Sequence, residues 1–271
     1  MHQDKSAAPS TRRRVRLGAL PIDQLTFREA LDAIAAMIEG GQGGTVFTPN
    51  VDHVVMADHD ERFRNAYAAA SLSLVDGMPV LWAARLLGLR LPEKISGSDL
   101  VWPLLERAEQ RQWRVYILGG APGVGAKAAE RLKERFPRIA LVGVDAPRID
   151  MDAPAETRTG VLESVRAARP DLVLVALGAP KQELWIAEAA SELRPAVLLG
   201  IGAAVDFIAG TARRAPPWLS AAGLEWLYRL AREPRRLWKR YLLRDPEFAL
   251  IVLRQARRSR AGEAAFDRGA P

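Results

Sequence analysis

DLVLVALGAPKQELWI, residues 171–186, decides the fold. From Leu172 to Leu177 every residue is apolar, a run too short for a buried helix and without the alternation of a strand that has one wet face. It predicts a strand covered on both sides. Gly178 opens a turn, Pro180 suits a first helical turn, and Glu183 favours the positive end of a helix dipole, so a helix starts where the strand stops. Lys181 breaks that logic, because a cation at a helix start is unfavourable unless an anion lies near it. Lys181 and Gln182 are therefore read as facing a ligand.

The same unit recurs on either side. TVFTPN (45–50), SLSLVDG (71–77), WRVYILGG (113–120), IALVGVDAP (139–147) and AVLLGIGAA (196–204) are the other strand candidates, separated by segments of helical period such as APGVGAKAAERLKERF. This rhythm predicts an α/β, Rossmann-like sandwich with a mostly parallel central sheet. Ligands of such sheets sit at the carboxyl ends of the strands. Five strand-end loops are thus candidates: Thr48 to Asn50, Asp76 to Pro79, Gly119 to Gly123, Gly178 to Glu183, and Gly202 to Asp206.

Each loop carries a bland reading beside the functional one. Asp76-Gly77 is ordinary turn chemistry as well as an acid at a strand end. Gly119 and Gly120, before a helix, suit either a phosphate at the helix N-terminus or a tight turn; their spacing fits neither the dinucleotide fingerprint nor the P-loop. Asp150-Met151-Asp152 has the acidic spacing of metal-dependent sugar transferases but reads as solvated surface. His53 and His59 lack a third ligand and read as ordinary histidines, so no metal site is expected. With no cysteine and no G-x-S-x-G elbow, the common nucleophilic hydrolase mechanisms are excluded.

Charge divides the 271 residues unevenly. The net charge is +7, yet residues 211–260 alone hold twelve Arg and Lys239 against Glu225, Glu233, Asp245 and Glu247, which leaves the rest slightly acidic. Trp218, Trp226, Tyr228, Trp238 and Tyr241 are interleaved with these arginines, on helices predicted to break near Pro234 and Pro246. Such a segment suits an anionic membrane surface or, alternatively, a nucleic acid. No run reaches the length of a spanning helix, and the basic start lacks the apolar core of a signal peptide. The expected organisation is a disordered arm over 1–14, an α/β domain over 15–210, a basic α-helical C-terminal appendage over 211–260, and a flexible tail over 261–271.

Seven blocks, TPNVDHV, SLVDGMPV, EKISGSDL, YILGGAPGVGAKAA, LVALGAPKQELWI, GIGAAVDFIAGTARRAP and GLEWLYRLAREPRR, resemble in order the WecG/TagA/CpsF family of bacterial glycosyltransferases over roughly residues 15–245. The resemblance implies inverting transfer of a sugar from a UDP-sugar to a polyprenyl-diphosphate-linked saccharide, with no metal or other cofactor. The sugar would be of N-acetylmannosamine type, a uronic acid or another hexose. It makes Asp76 the base, with Thr48 as its catalytic neighbour, and places Asn50 in the same pocket and Gln182 near the nucleotide-sugar. Lys94, where relatives often carry Arg, Ser98 and Asp99 come from the third block. Gly119, Gly120, Lys181, Gly202 and Asp206 are expected at the substrate, together with Arg214, Arg235 and Arg236 from the tail. The partners implied are the donor, the lipid-linked acceptor and an anionic membrane surface, without nucleic acid and with a homo-oligomer left open. The expected location is peripheral, on the cytoplasmic side of the bacterial membrane.

Overall fold

The computed structural model describes residues 13–266, with the side chains of Pro217, Ala221, Arg236 and residues 260–266 outside the description. Among the described residues there are eight strands: β1 (Arg14–Leu17), β2 (Leu20–Asp23), β3 (Gly44–Phe47), β4 (Leu72–Ser73), β5 (Arg114–Gly119), β6 (Ala140–Asp145), β7 (Leu172–Ala176) and β8 (Val197–Gly200). The helices of the body are α1 (Phe27–Glu39), α2 (Val51–His59), α3 (Glu61–Ala68), α4 (Met78–Leu86), α5 (Gly97–Arg111), α6 (Val124–Arg135), α7 (Thr159–Ala168), α8 (Lys181–Ala189) and α9 (Ala204–Ala209). After them come α10 (Pro217–Ala221), α11 (Glu225–Arg232), α12 (Pro234–Trp238), a π-helical segment over Lys239–Arg244, and α13 (Glu247–Phe266).

The six strands read from the sequence form one parallel sheet in the order β4-β3-β8-β7-β5-β6. Their apolar runs are explained by two cores. Along β7, Leu172 and Leu174 face one layer while Val173 and Val175 face the other, the period-two alternation of a strand wetted on neither side. One layer holds α1, α5, α6 and α9; the opposite layer holds α2, α3, α4 and α8. Gly119 closes β5 with φ at +109°, and a Cβ there would lie 2.4 Å from the Ala176 carbonyl oxygen of β7. Crowding between strands therefore requires that glycine.

Two features differ from the sequence reading. Arg14, assigned to the N-terminal arm, is the first residue of β1, which pairs with β2 as an antiparallel hairpin. Asp23 holds the hairpin at the sheet edge: it accepts from Ser73 N–H of β4 and from Arg14, each at 2.8 Å. The hairpin so covers an edge that would otherwise offer unpaired backbone groups. The second feature is the C-terminus, where α13 returns to the body. Phe248, Ile251 and Val252 are buried in the core with α2, and Gln255 bridges Gly18 N–H and the Arg16 carbonyl in the hairpin. Residues 261–266, assigned to a flexible tail, continue α13; residues 1–12 and 267–271 lie outside the described residues.

Candidate active site

Backbone hydrogen bonds gather the strand ends. Asp76 follows β4, and its N–H donates to the Pro49 carbonyl at 2.8 Å, stitching the acid's loop to the Thr48–Asn50 loop after β3. Ile95 N–H donates to the Val75 carbonyl at 2.7 Å and so draws Lys94 to the same place. Asn50 caps α2 by accepting from His53 N–H, the usual role of Asn at that position. On the next loop, Gln182 accepts from Gly202 N–H and donates to Glu183, each at 2.8 Å, which ties α8 to the end of β8.

The outcome is one cavity of about 320 Å3 whose lining includes Thr48, Asn50, Asp76, Ser98, Gln182 and Gly202. It adjoins a cavity on each side. With the first, about 330 Å3, it shares Asn50, Asp76, Glu225, Arg229 and Arg240; that cavity is walled by Met78, Pro79, Trp226, Tyr241 and Phe248, with Lys94 at Asp76. With the second, about 660 Å3, it shares Gly178, Gly202 and Ala203; Gly120, Arg148, Lys181 and Asp206 line the remainder. These adjoining spaces open beside the carboxyl ends of the strands, and Asp76 stands where the middle one meets the apolar one.

Burial pushes the Asp76 carboxyl up to about 7; Lys94 and Arg229 pull against that shift, and Glu225 and Asp99 reinforce it. A carboxylate with that balance exchanges a proton near neutral pH, as a general base must. Two of the groups around it, His53 and Asp99, are unsuited to that exchange. Burial, aided by Arg240 and Arg244, drives His53 down to about 3, and its Nδ1 is 2.7 Å from the Tyr67 hydroxyl. Asp99 is taken to about 2: burial opposes this, but the Ser96 hydroxyl, Arg214 and Lys94 prevail.

Several expected ligands have other occupations. Asp99 is held by Lys94 at 3.0 Å and by Arg214, so Asp99 and Arg214 form an internal clasp. Gly119 lines none of the three cavities, its place being set by β7. Lys181 lines the large cavity while its Nζ donates to the Ile149 carbonyl at 2.8 Å, which answers its cost at the start of α8. Arg235 is exposed on α12 and lines none of these spaces, and the side chain of Arg236 is outside the described residues. Asp152 pairs with Arg62 at 2.9 Å.

The arginines that do line the middle cavity are Arg229, Arg240 and Arg244, which the sequence reading passed over. Asp52, buried in the first turn of α2, meets Arg244 Nε at 2.8 Å and Arg240 Nε at 3.2 Å, while Arg240 also donates to Asn50 at 3.1 Å. Their approach depends on the π-helical segment and the fold-back of α13. Helical spacing alone shows a basic face without showing what it meets; the one available signal was Asp52, an acid two residues beyond the Asn50 cap.

A carboxyl poised near neutral pH between two cavities, with cations in the central one, suits transfer of a group between two substrates, and a transferase on a Rossmann-like sheet is the class that fold and site define. The family model described as "Glycosyl transferase WecG/TagA/CpsF family" matches residues 15–262, and the chain belongs to that family of glycosyltransferases. Among its relatives is the N-acetylglucosaminyldiphosphoundecaprenol N-acetyl-beta-D-mannosaminyltransferase of Bacillus spizizenii, 33% identical over 245 residues, covering 88% of this chain and 92% of the relative. The protein of the same name from Bacillus subtilis strain 168 is 32% identical over 213 residues, 79% of this chain and 80% of the relative.

Proposed function

We propose that the protein transfers an N-acetylmannosamine-type sugar from a UDP-sugar to a polyprenyl-diphosphate-linked saccharide, in one inverting displacement that needs no divalent metal. The carrying observation is that Asp76 borders both the cavity lined by cations and the apolar cavity. The names of the Bacillus relatives support the choice of sugar and acceptor. In this reading UDP occupies the large cavity, beside Gly120, Lys181 and Asp206, with its diphosphate and sugar in the middle one. The acceptor sugar enters from the apolar side, next to Asn50 and Lys94.

The acceptor hydroxyl gives its proton to the Asp76 carboxylate as its oxygen attacks the anomeric carbon. The bond from that carbon to the phosphate oxygen breaks, and the electron pair leaves with UDP. Arg229, Arg240 and Arg244 supply the positive charge that the departing diphosphate requires, fixed in place before the reaction begins. Thr48 bounds the reacting centre, and Gln182 acts as a strut that keeps the Gly202 loop in register.

The basic helical region from 211 to 260 serves, on this proposal, to hold the enzyme against an anionic membrane surface where a lipid-linked acceptor lies. None of the helices among the described residues is long and apolar enough to cross a membrane. The test is incubation with a panel of UDP-sugars and a prenyl-diphosphate-linked N-acetylglucosamine, with and without EDTA, followed by NMR of the new anomeric centre. Selective use of UDP-N-acetylmannosamine, an inverted centre and indifference to EDTA are expected. A retained configuration or loss of turnover on chelation contradicts the mechanism.

A further inference from the structure

Helix α4 begins two residues after Asp76 and is amphipathic in an unexpected way. It buries Val80, Leu81, Ala83 and Ala84 against the body, yet it presents Trp82, Arg85 and Leu86 outward. Trp82 is 46% exposed and Leu86 71% exposed, comparable with Trp218 at 67% and Leu243 at 65% in the basic helical region. Large apolar side chains brought together on a surface mark a contact with something other than water.

The two sets adjoin. Gly223, in the turn between α10 and α11, lies so close beneath the Trp82 indole that a Cβ there would be 2.4 Å from its ring. Directly after it come Leu224, Trp226 and Leu227, all exposed. Met78, Gly223 and Trp226 also line the apolar cavity that holds Asp76. Hence α4 and the turn before α11 form two lips of that cavity.

We infer that α4 is the second half of a bilayer-contact face, with Trp82 and Leu86 inserting among lipids so that the apolar cavity opens onto the membrane. This deepens the membrane reading given above and rests on it. The occupant is argued from chemistry: tryptophan with arginine is the composition of membrane interfaces, Arg85 extends the basic charge of residues 211–260 onto α4, and an acceptor with a prenyl chain must reach Asp76 from lipid.

The absence of cysteine from the sequence permits a clean probe. Leu86→Cys carrying an environment-sensitive NBD label is mixed with vesicles of phosphatidylglycerol and phosphatidylcholine, beside Glu134→Cys, whose position is exposed on α6 in the opposite layer. A blue shift and brightening at position 86 alone is expected. Leu86→Ser combined with Trp82→Ser is expected to weaken vesicle flotation on the order of tenfold, from the loss of two inserting side chains. Turnover of a water-soluble short-chain acceptor by Leu86→Ser alone should be unchanged. If unlabelled wild-type protein floats while the label at position 86 stays unresponsive, the α4 inference alone falls. If wild-type protein does not float at all, the membrane reading falls and this inference with it. A label that responds to protein concentration without vesicles assigns the face to a second copy of the chain and equally overturns the inference.

Discussion

At the scale of single residues, the proposed transfer depends on how the surroundings of Asp76 set its ionisation. Its carboxyl is raised to about 7, so kcat/KM should climb through pH 7 as the base loses its proton. Lys94 is one of the two cations that oppose this rise. Lys94→Ala is therefore expected to move the rising limb to higher pH, whereas an unshifted limb would show that another group controls the rate. The same shift has a consequence for stability. The folded state holds its proton up to about pH 7 and the unfolded chain releases it near 4, so ionised Asp76 costs stability as pH rises through that window. Asp76→Asn should consequently raise the melting temperature at pH 8, by a margin worth on the order of 4 kcal/mol, and have little effect near pH 4. Thermal denaturation at the two pH values checks this.

At the scale of elements, the Asp52 contact with Arg240 and Arg244 joins the start of α2 to the π-helical segment. Removing the buried acid leaves two partly exposed arginines side by side, so Asp52→Ala should cost about 1–2 kcal/mol and expose residues 233–246 to protease. Unchanged proteolysis would mean that packing of α13 fastens the region instead. What the sequence revealed follows from the same physics. Strands such as Leu172–Ala176 were legible because a run buried on both faces must be apolar throughout, and the strand-end rule then brought Thr48, Asn50, Asp76, Gln182 and Gly202 together. The β1–β2 hairpin was not legible: each strand has four residues, one includes Pro21, and its burial depends on α3 and α13. Arg229, Arg240 and Arg244 were hidden for the related reason that a basic amphipathic helix does not declare its partner.

For the whole molecule, the C-terminal region is both a surface and part of the core. Because Phe248, Ile251 and Val252 are buried with α2 and the hairpin, truncation from residue 211 is expected to destabilise the body as well as loosen any hold on lipid. A truncated chain that melts at the wild-type temperature would refute that integration. Substituting exposed Leu242 and Leu243 by serine separates the effects, since both lie outside the core; flotation should fall while the melting temperature holds.

The proposal that the Asp76 carboxylate, in the loop after β4, takes the acceptor's proton is tested most directly by Asp76→Asn, which keeps shape and removes the carboxylate. Single-turnover transfer should fall about 10²–10⁴-fold while UDP-sugar affinity, measured by calorimetry, stays within about twofold. Transfer at a rate near that of the wild type, with the donor still bound, would contradict it.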